Sequence, residues 1–212
     1  MKTVPTRKFL LAAALAALIF LLEARWVMAG ESMVFDLWIR GTAHAWASPL
    51  LTQILFSITM LGSQWVMLPL GAVVVWRLAI MRRERQAMLL AACGLGAELV
   101  SNLLKLTFHR PRPPVFFGLS PAETFSFPSG HAFVSTVFYG LLAAILMGRY
   151  PLRRSGIVAT AALTVVLIGY SRVYLGYHYP SDVLGGWTCA TGWLALCGPP
   201  IYAAGKPQKK RH

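Results

Sequence analysis

Apolar residues in this chain come in long, nearly unbroken blocks. Six can be marked, roughly Phe9–Met28, Gln64–Ile80, Gln86–Phe108, His131–Gly148, Gly156–Ser171 and Val183–Ala204. Each is near the ~20 residues that a helix needs to cross the hydrocarbon of a bilayer, the second and fifth being short. The pattern predicts an all-α fold, a six-transmembrane helical bundle. One stretch departs from it. Glu31–Ser63 mixes Asp36, Arg40, His44 and Gln53 with Phe35, Leu37, Trp38, Trp46 and Phe56. It reads as an amphipathic interfacial segment of one or two helices between the first and second spans. A seventh span through Leu50–Leu61 is the alternative, and it is too short to prefer.

Composition agrees with this reading. The chain has 212 residues, enough for a single domain covering 1–212, and 57% of them are hydrophobic. Only 13% are charged, against about 25% in an ordinary soluble domain. The net charge of +13 first suggests a nucleic-acid partner, but the distribution argues against one. Lys2, Arg7, Lys8, Arg77, Arg82, Arg83, Arg85, Arg149, Arg153, Arg154, Lys206, Lys209, Lys210 and Arg211 all fall on one set of helix ends. The other set holds Arg25, Arg40, Lys105, Arg110, Arg112 and Arg172. Six alternating spans reproduce this split, so the positive-inside rule predicts both termini cytoplasmic and the second set facing outward. A cleaved signal peptide is the rival reading of the N-terminal block and would leave five spans. Cys93, Cys189 and Cys197 lie inside apolar blocks and form no CxxC pair, which points to packed or lipid-facing thiols. The tail "GKPQKKRH" suits anionic lipid or a topology signal.

Charged residues in a membrane segment need a reason, and three clusters stand on the outward side. In "KLTFHRPRP", Lys105 ends the third span, and Pro111 and Pro113 put Arg110 and Arg112 on extended chain. The cluster reads as interfacial snorkelling or as an anion cradle, with lysine as point charge and arginine as fork. In "FSFPSGHAF", Pro128 and Ser129 precede a helix starting near Gly130. Its free N–H groups and dipole form an anion site, Ser129 caps, Gly130 admits close approach, and His131 sits in the first turn. In "SRVYLGYHYPSD", Arg172 ends the fifth span and His178 lies in the turn beyond it. Pro180 suits the first position of the sixth helix, which puts Asp182 in its first turn, within reach of one His178 nitrogen. Alone, each cluster is an ordinary cap or interface; together they suit phosphoryl transfer. Cations and helix N–H groups would stabilise the equatorial oxygens, His178 would attack, and His131 would protonate the leaving oxygen.

These residues resemble the three-part signature of the type 2 phosphatidic acid phosphatase superfamily, in its membrane lipid phosphate phosphatase branch. Lys105, Arg112 and Pro113 match the first part, Pro128 to His131 the second, and Ser171, Arg172, His178 and Asp182 the third. The resemblance implies that Lys105, Arg112, Ser129, Gly130 and Arg172 hold phosphate. It also implies that His178 is the nucleophile, Asp182 its partner and His131 the general acid, with no metal and no cofactor. The small size and outward site resemble bacterial inner-membrane enzymes of the family. Their substrates include undecaprenyl diphosphate, the first expectation here, and phosphatidylglycerol phosphate, phosphatidate and lipid A phosphates. A non-hydrolytic lipid or solute transporter is the rival of another class, though it has no need of the His–Asp pair. A zinc hydrolase using His131, His178 and Asp182 is disfavoured by the nearby arginines.

Residues beside the signature have blander expectations. Arg110 and His109 read as interfacial, with an extra substrate contact as the second reading of Arg110. Glu98, Asn102 and Lys105 share one helix face, with Glu98 expected to support the pocket by orienting Lys105. Tyr174, Tyr177, Tyr179 and Trp187 read as an interfacial belt. The glycines of "GLGAE" and "LGG" read as close helix packing.

Overall fold

A computed structural model describes residues 6–120 and 122–204, and these contain helices and no strand. The helices are α1 (Thr6–Met28), α2 (Met33–Ala45), α3 (Pro49–Met60), α4 (Gln64–Ile80), α5 (Glu84–Phe108), α6 (Gly130–Arg149), α7 (Arg154–Tyr174) and α8 (Pro180–Ala204). Each expected apolar block is therefore one helix. Local chemistry sets the boundaries. Ser48 accepts from the Leu51 amide and is followed by Pro49, a cap with proline at the first helical position. α5 stops at His109, which turns left-handed at φ 49° two residues before Pro111.

By length and hydropathy, four helical segments are fit to cross a membrane: Arg7–Met28, Glu84–Phe108, Gly130–Arg149 and Pro151–Tyr174. The pair α3 and α4, bent by 42° at their junction, makes a fifth if it counts as one broken span. The short Leu50–Leu61 segment is thus the first arm of a bent pair. α8 is not in this set. It lies against α1, α5 and α6, and also touches α2 and α7. A helix covered by helices needs small residues for close approach more than leucines for lipid. A Cβ at Gly186 would sit 2.7 Å from the Ser129 carbonyl oxygen, and one at Gly185 would sit 2.6 Å from the Phe127 ring. The "LGG" glycines therefore do mark close packing, and Gly96 does the same against Trp193, whereas Gly94 faces open space.

α1 buries Ala16, Phe20, Ala24 and Val27 and exposes Leu11, Leu15, Leu18 and Leu22. That single inward stripe packs along α8. Phe20 stacks on Phe127 at 5.6 Å, and Phe108 meets the same ring edge-on at 5.2 Å, which fixes the loop leading into α6. α2 is amphipathic in an unexpected sense. Its polar residues Asp36 and Arg40 are buried, while Val34, Leu37 and Trp38 face outward.

The antiparallel connections put the C-terminal ends of α5 and α7 beside the N-terminal ends of α6 and α8. Arg77, Arg82, Arg83, Arg85, Arg149, Arg153 and Arg154 all belong to the opposite helix ends. Lys2 and the tail residues Lys206, Lys209, Lys210 and Arg211 lie outside the described residues.

Candidate active site

Lys105 comes from the last turn of α5, Arg112 from the extended chain after it, and Gly130 and His131 from the start of α6. Arg172 comes from the last turn of α7 and His178 from the turn before α8. All six line one cavity of about 450 Å³. Ser129 and Asp182, at 0% exposure, lie immediately behind it. Residues up to 77 positions apart, Lys105 to Asp182, thus form one site.

His178 is 1% exposed and held on both ring nitrogens. Its Nδ1 is 3.4 Å from Asp182 Oδ2 and equally far from Ser126 Oγ, and Ser126 itself donates to Asp182 Oδ2 through a short hydrogen bond. Arg112 Nη1 lies 3.1 Å from Nε2, which fits a lone pair on Nε2 and a proton on Nδ1. Burial first, and then the charges of Arg112, Arg172 and Lys105, hold the imidazole well below its ordinary pKa. His178 is therefore neutral at pH 7, the state in which an imidazole attacks.

The cations differ in how far their donors are met. Arg172 is 7% exposed, gives Nη1 to Thr59 Oγ1 at 3.0 Å and lies 4.1 Å above the Tyr177 ring. Its Nε is buried with no partner among the described residues. The Lys105 ammonium reaches over Gly130, where a Cβ would come within 3.1 Å of it. Arg112 is engaged more fully, with the Thr124 and Phe125 carbonyls, Thr124 Oγ1 and the Tyr177 carbonyl. The expected free amides at the start of α6 are partly used: Ser129 donates its N–H to the Asp182 carbonyl at 2.9 Å, and its Oγ caps the helix through Ala132 N. His131 stands at the cavity wall with no hydrogen bond from its ring to the described residues. Unmet cationic donors facing a neutral, oriented imidazole are what an anion and a nucleophile require.

Residues 86–200 match the family model of the PAP2 superfamily. The chain belongs to that superfamily. A phosphatidylglycerophosphatase B from Bacillus subtilis (strain 168) is 32% identical over 66% of this chain and 70% of its own length. An undecaprenyl-diphosphatase from Sulfolobus acidocaldarius is 30% identical over 76% of this chain and 74% of its own. The crystal structure of a transmembrane PAP2-type phosphatidylglycerolphosphate phosphatase from Bacillus subtilis superposes with TM-score 0.82 at 28% identity, covering 88% of this chain and 94% of that one. The protein is thus an integral membrane PAP2 phosphatase of lipid phosphates, and a hydrolase.

Several residues of this PAP2 phosphatase stand elsewhere than the sequence suggested. Arg110 is not interfacial. It is 6% exposed, gives Nη1 to Asp182 Oδ1 at 2.6 Å and Nη2 to Asp36 Oδ2 at 2.7 Å, and has no free face for substrate. Burial lowers its pKa, but the carboxylates of Asp182 and Asp36 outweigh that and hold it above the ordinary arginine value. Glu98 is exposed at the cavity rim and accepts from Asn102 Nδ2 at 3.3 Å; no ion pair joins it to Lys105 among the described residues. The three tyrosines do not form a belt. Tyr174 is fully buried, with its hydroxyl 2.9 Å from Thr52 Oγ1, Tyr177 lies under Arg172, and Tyr179 lies under Arg110 at 4.2 Å. Trp187 packs against Gly169. His109 is exposed and meets the Phe125 ring.

Sequence reasoning missed Ser126, Thr59, Thr124 and Asp36. Asp36 carried a signal, since an acid in an apolar segment needs a partner. Its partner is 74 residues away. Ser126 lay inside the quoted "FSFPSGHAF" stretch, but nothing in linear spacing ties a serine to an aspartate 56 residues on.

Proposed function

We propose that the chain removes phosphate from a lipid phosphate or diphosphate through a phosphohistidine. One observation carries the reading: Lys105, Arg112, Arg172 and a neutral His178 face the same cavity. Lys105, Arg112, Arg172, Ser129 and Gly130 hold the phosphate. The Nε2 lone pair of His178 forms the P–N bond as the bond from phosphorus to the leaving oxygen breaks, and Arg112 passes from Nε2 to a phosphate oxygen. His131 gives the leaving oxygen its proton. Water then attacks the phosphorus as the P–N bond breaks and returns its electron pair to His178 Nε2, His131 takes the proton from that water, and inorganic phosphate leaves. Asp182 holds Nδ1–H throughout and balances the imidazolium character that develops. Three cations around the phosphate supply the charge stabilisation that phosphoryl transfer needs, so the reaction proceeds without metal.

The substrate proposed is undecaprenyl diphosphate, cleaved to undecaprenyl phosphate. It is supported by the likeness to an undecaprenyl-diphosphatase over 76% of this chain. Phosphatidylglycerol phosphate is the second reading, favoured by the likeness at TM-score 0.82 to a phosphatidylglycerolphosphate phosphatase. The setting is one domain of six spans, α1, α4, α5, α6, α7 and α8, with α2 at the interface and α3 as the first arm of α4. The basic helix ends opposite the cavity support cytoplasmic termini and an outward site in a bacterial inner membrane. The test is phosphate release in EDTA from undecaprenyl diphosphate, phosphatidylglycerol phosphate, phosphatidate and a lipid A phosphate, beside His178→Ala. Release from at least one substrate, absent in the variant, is expected. Release that EDTA abolishes, or that His178→Ala retains, overturns the mechanism.

A further inference from the structure

Asp182, the residue expected to orient His178, is itself oriented by a chain of contacts that leaves the signature. Its Oδ1 is held by Arg110 Nη1 at 2.6 Å, and its Oδ2 by Ser126 Oγ and by Tyr179 N at 2.8 Å. The other end of the Arg110 fork is held by Asp36 of α2 at 2.7 Å. Asp36 is fixed in turn by Ser181 N at 2.9 Å, Ser181 Oγ at 2.7 Å and Ser32 Oγ at 3.0 Å. Ser181 Oγ also accepts from Arg110 Nη1 at 2.8 Å. Both carboxylates are 0% exposed. Tyr179 covers one face of the guanidinium, and Arg40, one turn along α2 from Asp36, ties the segment down through the Pro114 carbonyl at 2.7 Å.

A guanidinium fork has a fixed geometry, so a carboxylate clamped at each end leaves it no freedom to turn. Asp182 has two oxygens with different duties. With Oδ1 pinned by Arg110, only Oδ2 is available to His178 Nδ1, and the carboxylate plane is set. A charge-balanced anchor also matters, because two buried carboxylates without Arg110 would repel each other beside the nucleophile.

We propose that Arg110 and Asp36 are positioning residues for the phosphoryl-transfer step, which makes α2 part of the catalytic apparatus. This rests on the reading of His178 as nucleophile and Asp182 as its partner. Neither residue touches the cavity, so the expected signature is in rate and not in phosphate affinity. A shift of an ångström at a reacting group costs about 10²-fold.

The experiment uses the full chain in detergent or nanodiscs, with Asp36→Asn, Arg110→Lys, Arg110→Met and Ser181→Ala. Folding is checked by thermal melt. Single-turnover formation of the phosphoenzyme and the inhibition constant of inorganic phosphate are then measured. Asp36→Asn and Arg110→Lys are expected to slow phosphoenzyme formation about 10- to 100-fold with the phosphate constant unchanged. Arg110→Lys should retain more rate than Arg110→Met. Ser181→Ala, the mildest change, should fold and slow the step severalfold. Folded variants that form phosphoenzyme at the wild-type rate overturn the proposal, even if their melting points fall. A weakened phosphate constant with an intact rate also overturns it, because Arg110 would then be a binding group. Active His178→Ala would sink the proposed function instead, which keeps the two failures apart.

Discussion

Arg110 and Arg172 are buried alike, at 6% and 7% exposure, and they belong to two different kinds of site. Arg110 sits in a closed network, forked between Asp182 and Asp36 under the Tyr179 ring. Arg172 sits at an open cavity, with one bond to Thr59, an orphaned Nε and no carboxylate partner among the described residues. An arginine whose charge and donors are met inside the protein holds the fold in place. One that lines a cavity with an unmet donor and no carboxylate beside it leaves its charge available to an anion. Arg112 stands between the two cases, engaged with backbone carbonyls yet touching His178 Nε2.

The hardest test of this contrast is loss of the centre on which both regions converge. His178→Ala should reduce turnover by about 10⁴-fold or more while the protein stays folded, read as phosphate release. Arg110→Met should next cost about 3–5 kcal/mol of stability, measured by denaturation, because Asp36 and Asp182 lose their shared countercharge. Arg172→Met should do the reverse, leaving stability intact or raised while kcat/KM falls about 10²- to 10³-fold. Equal stability losses in the two variants would erase the distinction between closed network and open cradle.

The smallest expected effect is on pH dependence. His178 must be neutral to attack, and its pKa is held well below the ordinary value by burial and by Arg112, Arg172 and Lys105. The acid limb of kcat/KM should therefore lie below pH ~6.5, the ordinary imidazole value. Removing the Arg172 charge takes away one of the positive neighbours that depress it. In Arg172→Met the limb should then move toward neutral pH, and a shift in the opposite direction would remove Arg172 from the surroundings of His178.

The linear order of residues was enough to specify the helices and six of the residues that line the cavity. Unbroken apolar blocks of ~20 residues form helices in hydrocarbon, because a helix meets every backbone N–H within the segment, whereas a barrel strand is shorter and alternates apolar with polar residues. Each of the six expected blocks is a helix, and Lys105, Arg112, Gly130, His131, Arg172 and His178 meet because charged ends of successive helices gather on one side. Short-range rules also worked where their causes are local: Ser129 caps α6, and Pro180 opens α8 with Asp182 in its first turn.

Only tertiary structure decided what holds the charges that lie outside the cavity. The family resemblance set Arg112 apart from Arg110, two positions earlier in one Arg-Pro-Arg-Pro run, but no local rule said where Arg110 is held. The difference lies in Asp36, brought by α2 from 74 residues earlier. The same is true of α8, whose Gly185 and Gly186 are required by its close approach to Phe127 and Ser129. Hydrophobic patterning records whether a segment avoids water, and it does not distinguish lipid from neighbouring helices as the reason. Electrostatic pairing is just as silent in sequence, because a buried charge is satisfied by whatever the fold places within about 3 Å of it, at any separation along the chain.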